Sequence, residues 1–567
     1  MQWRGLRLEA PGQAVFCGAV FAIIASLVAA PILFLIVNSF QLATPGQAAI
    51  WSLDAWRSAL GNADIWHAMW NSIRLYLATS LISWPAAIVL AWIIGRSDMP
   101  GKNTVEFLFW VSFFLPSLTV VMGWVTLIDP ETGLINQAIR WLGLPMVDQF
   151  SGPFDIYTFW GLVWVHLGQN AISIKTILLI PAFRNLDAYM EEASRMSGAG
   201  ILKTLRHVVI PMMAPAIIIT VLLGFVRLWQ SFEVELVLGI PQKFYVYGTI
   251  IYDFLKKDTP EYGQATVLAV MVIVLTFPLM LLQQRYATGR SYETISGRAR
   301  AAPTPLGRAR LPVFLVVMAI ALFVSLLPIV AVVMATFMKV FGHFEIDQPW
   351  TLMHWMQVLR DPIFLQSVGN TLLIAGGAAL ASVIVCALVA YILVRTQYRF
   401  RAVLDVITWL PWALPGMLMG LGMLWIVLTF MKPLYGSLWL LIIVTVISGL
   451  TVGVQIIKSN MLQLGAELEE ASRTSGASWL RTFCLVVVPP LAPVLMLVAT
   501  MSFVSASRDV SNIILLASGR SMTLALLQID YMVAPLWESA TVVAVVMTLI
   551  STGVALAARA CNLRLGI

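Results

Sequence analysis

The chain has 567 residues, of which 60% are hydrophobic and only 11% are charged. This composition excludes a soluble globular enzyme and favours an integral membrane protein. The net charge of +7 does not indicate nucleic-acid binding, because the basic residues cluster between apolar runs. The four cysteines are widely scattered and form no metal-ligand pattern.

Apolar runs of about 20 residues recur along the chain, and each is long enough to cross a bilayer as a helix. The first run is too long for the core of a signal peptide and is expected to remain as the first span. The predicted fold class is all-α integral membrane, with about twelve transmembrane helices in two parallel six-helix repeats. The predicted spans are 15–38, 68–95, 106–128, 158–181, 211–237 and 263–284, then 313–338, 367–394, 403–430, 437–459, 489–516 and 537–558.

Lysine and arginine set the expected topology, because cytoplasmic loops hold an excess of positive charge. Arg4 and Arg7 precede the first span, and Arg96 and Lys102 follow the second. A linker between the halves contains six arginines against one acid, and its Ala, Pro and Gly content predicts a flexible tether. We therefore expect a multi-pass membrane protein with both termini cytoplasmic. The predicted domains are a first half (1–284), the basic linker (285–312) and a second half (313–567).

The two halves repeat one another. Asn71-Ser72 matches Asn370-Thr371, and Leu115-Pro116 matches Leu414-Pro415, each 299 positions later. Farther along, the offset falls to 278, so the first half holds about 21 extra residues (299 minus 278) in an external loop. A short amphipathic helix, 134–142, is predicted there, either on the outer membrane surface or against an external partner. An even number of spans makes the repeats parallel, with a pathway between them.

A charged segment between apolar runs is the clearest part of the repeat. Residues 191–215 read EEASRMSGAGILKTLRHVVIPMMAP, and residues 469–493 read EEASRTSGASWLRTFCLVVVPPLAP; 15 of the 25 aligned positions are identical. Each copy predicts a short helix with two acids in its early turns, where acid favours the helix dipole. Asp187 is the predicted cap of the first helix, whereas Gly465 at the matching position predicts a looser start.

A glycine, Gly198 or Gly476, follows each of these short helices, and we expect it to end the helix in the left-handed conformation. A second, amphipathic helix is predicted next. Pro211 and Pro489 then mark the switch into the next apolar run.

Both copies resemble the EAA loop of ABC importer permeases. That pattern is Glu-Ala-Ala, three residues, Gly, nine residues, and an apolar-x-apolar-Pro ending. Serine stands at the third position in both copies, which is a mild departure. The matches are Glu192-Ala193-Ser194, Gly198 and Ile210-Pro211 in a loop spanning 182–210, and Glu470-Ala471-Ser472, Gly476 and Val488-Pro489 in a loop spanning 460–488.

The resemblance implies a fused, two-half permease of the type I importer class, similar to ferric-iron permeases in segments 154–161, 245–265 and 507–518. It implies a location in a bacterial inner (cytoplasmic) membrane. The implied partners are two copies of an ABC ATPase, a periplasmic binding protein and membrane lipid, and no nucleic acid. The chain has no Walker A motif, so ATP and Mg would belong to the ATPases, leaving a transport subunit without an enzyme site or cofactor. The implied ATPase-coupling residues are Glu191, Glu192, Ala193, Gly198, Pro211, Glu469, Glu470, Ala471, Gly476 and Pro489.

Polar residues inside apolar runs are candidates for the translocation pathway, because exposing them to lipid is costly. They recur at helical spacing in the fifth and eleventh spans, and Gln230 aligns with Arg508. The other interpretation is interhelical pairing that fixes packing, for example between Arg508 and Glu233. No metal site is predicted. The pathway candidates are Arg227, Gln230, Glu233, Glu235, Ser505, Arg508, Asp509 and Asn512.

Three functions remain in competition at this point. The first is the importer permease, with ferric iron as the preferred solute and thiamine, phosphonate, polyamine or another small solute as alternatives. The second is an ion-coupled secondary transporter, which would explain the duplication but not two matched amphipathic loops. A membrane-embedded enzyme is the third, but the sequence offers no catalytic constellation.

Overall fold

The computed structural model describes residues 11–42, 50–142, 152–184, 188–288, 303–344 and 346–560. Helices dominate these ranges, and the one sheet found in them is an antiparallel pair of two-residue strands, β1 (Gln41–Leu42) and β2 (Ile50–Trp51). Three π-helical segments interrupt the α-helices at Leu167–Ala171, Leu205–Val209 and Phe483–Val487.

The α-helices divide between the two halves. The first half contains α1 (Pro11–Asn38), α2 (Asp54–Gly61), α3 (Ala63–Arg96), α4 (Lys102–Phe114), α5 (Ser117–Ile128), α6 (Leu134–Trp141), α7 (Phe159–His166), α8 (Ile172–Arg184), α9 (Ala188–Met196), α10 (Ile201–Thr204), α11 (Ile210–Leu228), α12 (Glu233–Leu238), α13 (Tyr247–Lys256) and α14 (Tyr262–Thr288). The second half contains α15 (Arg310–Ser325), α16 (Leu327–Ala335), α17 (Met353–Arg360), α18 (Pro362–Arg395), α19 (Arg401–Ala413), α20 (Gly416–Phe430), α21 (Leu438–Met461), α22 (Glu467–Thr474), α23 (Trp479–Thr482), α24 (Val488–Ser507), α25 (Leu524–Val533) and α26 (Trp537–Ala560).

The predicted membrane class and the two six-span repeats are confirmed. Within the described ranges, nine helices are long and apolar enough to cross a membrane, or eleven if each of two bent pairs is one span. Helix α11 occupies the remaining predicted span, the fifth.

Both third spans are broken in the middle, where the sequence predicted continuous helices over 106–128 and 403–430. The helix axis bends by 102° between α4 and α5 and by 111° between α19 and α20. Leu115 and Leu414 lie at the breaks in extended conformation, each followed by a proline. A residue before proline is disfavoured in helical conformation, and proline supplies no N–H to continue the helix. The Leu-Pro repeat therefore marks a bend.

The fifth and eleventh spans are shorter than predicted. Helix α11 ends at Leu228 rather than 237, and α24 ends at Ser507 rather than 516. In the turn after α24, Asn512 donates its backbone N–H to Asp509 Oδ1 (3.1 Å) and its side-chain amide to Asp509 Oδ2 (2.8 Å). Such local bonds compete with helix formation. The predicted helical spacing of the pathway candidates is therefore wrong beyond these helix ends.

The first helix of each half packs on the opposite half. Helix α1 lies against α19 and α20, while α15 and α16 lie against α4 and α5. Glycines permit the close approach. A Cβ on Gly422 would lie 2.7 Å from the carbonyl oxygen of Pro31, and one on Gly123 would lie 2.4 Å from that of Pro328. Each half therefore packs its first span against the broken third span of the other half.

The end of the predicted linker is docked rather than free, contrary to the expected flexible tether over its described part. Thr304 donates its N–H to the carbonyl of Arg96 (2.8 Å) and accepts from the N–H of Asp98 (3.0 Å). Arg310 donates Nε to the carbonyl of Asp98 (2.9 Å). The described residues before α15 are therefore anchored to the loop that follows α3. The linker residues 289–302 lie outside the described ranges.

We predict that Gly123→Ala and Gly422→Ala each destabilise the protein, because the added methyl group meets backbone atoms of the helix that packs there from the opposite half. Overpacking of this kind costs about 1–3 kcal/mol. The measurement is the thermal unfolding midpoint of the purified protein in detergent. Gly376→Ala in α18 is the control, since no heavy atom lies within 4 Å of its added Cβ. Equal midpoints for Gly123→Ala and Gly376→Ala would contradict the packing argument.

Candidate functional site

The two repeated charged segments have matching structures. We call residues 188–209 and 467–487 the motif segments. Gly198 (φ +81°) and Gly476 (φ +83°) take the left-handed conformation that the sequence predicted. An added Cβ at either glycine would meet no atom within 4 Å, so the backbone angle alone requires glycine there. The predicted cap, Asp187, lies outside the described residues. In the second half, α22 begins at Glu467, and its N-cap residue, Ala466, makes no side-chain cap hydrogen bond.

A hydroxyl pair links the two short helices within each motif segment. Ser194 Oγ lies 3.0 Å from Thr204 Oγ1, and Ser472 Oγ lies 3.0 Å from Thr482 Oγ1. Both threonines are buried. The serine at the third motif position is thus not a neutral departure, because alanine could not form this bond.

The two acids of each motif segment face in opposite directions. Glu191 and Glu469 are buried, whereas Glu192 and Glu470 are exposed. Ala193 and Ala471, which follow the exposed acids, are also exposed. Each segment therefore presents one carboxylate outward at equivalent positions.

The buried acids pair with arginines that end the long second spans. Arg96 Nε lies 3.2 Å from Glu191 Oε1, and Arg395 Nε lies 2.8 Å from Glu469 Oε1. All four side chains are at least 92% buried. Arg395 lies 299 positions after Arg96, the offset that relates these parts of the two halves, but the sequence analysis used Arg96 only as a topology marker. Their match to a pair of acids was the available signal, and it was missed.

Arg395 also holds the end of α21, donating Nη2 to the carbonyls of Met461 (3.1 Å) and Leu464 (2.8 Å). Burial raises the pKa of Glu469, while the positive charges of Arg395 and Arg473 oppose that rise. Arg395 thereby connects the start of the second motif segment to the end of α21.

Each motif segment continues directly into a membrane helix. Its last five residues, Leu205–Val209 or Phe483–Val487, are π-helical and lead directly into α11 or α24. Pro211 and Pro489 stand in the first turn of those helices, where a missing N–H leaves no bond unmade. With 19 and 20 residues, the two helices are about 30 Å long.

The far ends of α11 and α24 meet the broken spans of the opposite half. Gln230 donates Nε2 to the carbonyls of Trp412 (3.0 Å) and Leu414 (3.4 Å). Arg508, its counterpart, donates Nη1 to the carbonyls of Phe113 (3.0 Å) and Leu115 (2.8 Å). These cross-half junctions satisfy carbonyl groups that the helix breaks leave without helical partners.

A central cavity of about 310 Å³ lies between the halves beside these junctions. Five pathway candidates line it: Arg227, Gln230, Ser505, Arg508 and Asn512. The guanidinium of Arg227 lies 4.9 Å from the centre of the Trp412 ring, and that of Arg508 lies 5.9 Å from the Phe113 ring. Phe113 and Trp412 also line the cavity, although the sequence did not single them out.

The other three pathway candidates do not line the cavity. Glu235 is fully buried and pairs with His166 (2.8 Å) and Ser231 (2.6 Å), a packing arrangement. Asp509 caps the turn after α24, and Glu233 begins α12. The proposed alternative pairing of Arg508 with Glu233 is not an ion pair within 4.0 Å in the described structure. Arg508 bonds to backbone carbonyls instead.

The predicted external helix is present as α6. Gln137 donates Nε2 to the carbonyls of Thr132 and of Gly342 in the second half. Asn136 is buried and bonds to both backbone groups of Phe154. Trp141 remains 87% exposed. The loop therefore joins the halves on this side, and the two expected roles for its surface stay predictions.

The repeat agrees with a comparison to known families, and both motif segments lie within the matched residues. The model of the binding-protein-dependent transport system inner membrane component matches residues 87–291 and 382–566, more than half of the chain and once in each half. The chain belongs to this family. It is a fused, two-half permease with the multi-pass membrane architecture expected of one.

Several curated relatives resemble this permease. FbpB 1 of Haemophilus influenzae, assigned as a ferric transport system permease, is 30% identical over 383 residues, covering 63% of this chain and 57% of that protein. The ferric transport permease FbpB of Actinobacillus pleuropneumoniae is 28% identical, with 71% of this chain and 58% of that protein covered. A protein of Sinorhizobium fredii assigned as an ABC transporter permease is 26% identical, covering 77% and 76%. The permease thus spans less than two thirds of the two ferric relatives.

Among solved structures, a chain of a bacterial alginate ABC transporter, in complex with a pentasaccharide-bound periplasmic protein, is 17% identical with a TM-score of 0.41. The match covers 49% of this chain and 94% of that one.

We predict that Glu469→Gln loosens the second motif segment, because it leaves the buried Arg395 without its charge partner. Breaking a buried ion pair costs about 3 kcal/mol. Hydrogen–deuterium exchange over 467–482 should rise in this variant. The control is Glu470→Gln, which neutralises the exposed neighbour and should leave exchange unchanged. Charge reversal of both partners, Arg395→Glu with Glu469→Arg, should restore part of the protection. Equal exchange in Glu469→Gln and Glu470→Gln would refute the role of the pair.

Proposed function

We propose that this chain is the permease subunit of an ATP-driven importer of a bacterial inner membrane, with both termini in the cytoplasm. Its partners would be two copies of an ABC ATPase and a periplasmic binding protein that delivers the solute. ATP and Mg would be bound by the ATPases. The observation that carries this proposal is the pair of motif segments, each with one acid anchored inside and one presented outside.

The geometry supports a coupling route from the motif segments to the junctions. An ATPase that grips Glu192 or Glu470 would move a segment joined through one helix to Gln230 or Arg508. Drawing the two segments together would shift α11 and α24 relative to each other. The junctions would then separate, because each spans the two halves. Hydrolysis would let the segments part and the junctions form again.

Ferric iron is the proposed metal cargo, supported by the names of two relatives. Uptake of radioactive ferric iron by vesicles containing the complete importer should depend on ATP and on loaded binding protein. The same vesicles should take up thiamine, phosphonate and polyamine at least tenfold more slowly, about 1.4 kcal/mol of discrimination. Faster uptake of one of these solutes would replace iron as the cargo. Ion-gradient-driven uptake without ATP would favour the secondary transporter.

We predict that Glu192→Ala with Glu470→Ala abolishes stimulation of ATP hydrolysis by loaded binding protein and weakens ATPase capture. The permease should stay folded, because both side chains are exposed. Each single change should do less, since the other segment still holds its own ATPase.

The measurements for this prediction are ATPase activity of the reconstituted complex, with and without loaded binding protein, and pull-down of the ATPase. Glu467→Ala is the matched control, because it removes an exposed acid from the same short helix, α22. Normal stimulation in the double variant, or equal loss in the control, would sink the coupling role of the two acids.

A further inference from the structure

Two arginines are the only charged side chains that line the central cavity within the described part of the chain. Arg227 and Arg508 contribute their guanidinium groups, and no Asp, Glu, His, Cys or Tyr lines the same space. The remaining polar lining consists of neutral groups, Ser448, Ser502, Ser505, Gln230 and Asn512, among apolar residues such as Met419 and Met501. Ionised side chains kept inside a membrane protein commonly mark the path of a solute.

Neither arginine is fully neutralised by a carboxylate among the described residues. Arg227 makes no ion pair there; its contact is with the face of the Trp412 ring, and its side chain is exposed toward the cavity. Arg508 donates Nη1 to the carbonyls of Phe113 and Leu115, and these neutral acceptors leave its positive charge uncompensated. Glu233 and Asp509 influence Arg508 electrostatically, yet both lie outside the lining.

Two positively charged guanidinium groups that face one cavity repel each other, and the charge of Arg227 acts on Arg508. An anion between them would relieve that repulsion and replace their water. Guanidinium is the side chain best suited to oxygen anions, because its planar N–H groups match carboxylate and phosphate geometry. Hydroxyl and amide groups on the same wall supply further donors.

A bare ferric ion does not fit this lining. The cavity would repel a trivalent cation, and it offers none of the carboxylate oxygens that a hard cation needs. Its volume of about 310 Å³ is nevertheless large enough for a small complex, at the lower end of ligand pockets.

We propose that the central cavity binds a small oxygen-rich anion, a phosphate or a carboxylate, between Arg227 and Arg508, and that iron crosses as an anionic complex of it. This inference rests on the proposed permease function and specifies the charge of what the permease carries.

The test uses the full-length permease in nanodiscs of uncharged lipid, with ³²P-phosphate, ¹⁴C-citrate and ferric citrate carrying both ⁵⁵Fe and ¹⁴C. We expect the wild type to bind the anions and to retain both labels of the ferric complex together. Arg227→Gln should weaken binding at least tenfold, about 1.4 kcal/mol, whereas Arg227→Lys should lose less because it keeps the charge. Phosphate binding without citrate binding would point to free phosphate or its ferric complex, and the reverse to carboxylate.

The control is Arg74→Gln. Arg74 lies against the rings of Phe159 and Phe244 and does not line the cavity, so anion binding should be unchanged. The proposal is overturned if no anion binds, if Arg227→Gln binds as tightly as the wild type, or if ⁵⁵Fe is retained without ¹⁴C. ATPase stimulation by loaded binding protein, measured on the wild-type complex, separates the two levels. Normal stimulation with no anion binding refutes only the anion, whereas absent stimulation refutes the permease function itself.

Discussion

The cross-half junctions are the constraint on which the rest of this permease depends. A helix broken inside a membrane leaves carbonyl groups without partners, and each unsatisfied group there costs several kcal/mol. Gln230 and Arg508 satisfy them from the opposite half, reaching Leu414 and Leu115 among others. The bends are therefore stable only while the halves are together. An element that either half could not hold alone is suited to switch when the halves move.

The motif segments, at the starts of α11 and α24, are also held in matching ways in the two halves. Each motif segment is tied to its own half by a buried ion pair, Arg96–Glu191 or Arg395–Glu469. The segment is thus attached to the second span as well as to the helix that follows it. The motif-segment end of α11 or α24 is fixed within its own half, and the far end of the same helix is hydrogen-bonded to the other half. A force on the exposed acid, Glu192 or Glu470, would therefore reach the cross-half junction through the helix instead of being lost in a flexible loop.

The sequence predicts the repeat, the motif segments and the left-handed glycines well, because local chemistry and duplication determine them. Gly198 and Gly476 show this, since nothing beyond their backbone angle is involved. The junctions were not predictable in the same way. The acceptors of Arg508 are backbone carbonyls, which exist as free groups only because of a bend elsewhere. The helical spacing assumed through Arg508 and Asn512 failed for a related reason, because side-chain bonds in the turn end α24 early.

Fusion of the two halves allows their shared surface to become unequal. In the repeat, Gln230 is equivalent to Arg508 and Arg227 is equivalent to Ser505. Each half therefore contributes one arginine to the cavity, but from a different position. A symmetric dimer of either half would put two arginines at the same level or at both junctions. In one chain the junctions keep their shape with a neutral donor on one side and a charged donor on the other. The unequal arrangement of the arginines can therefore suit the solute that enters the cavity. The hydrogen bonds of the junctions are set separately, by the geometry of the broken helices.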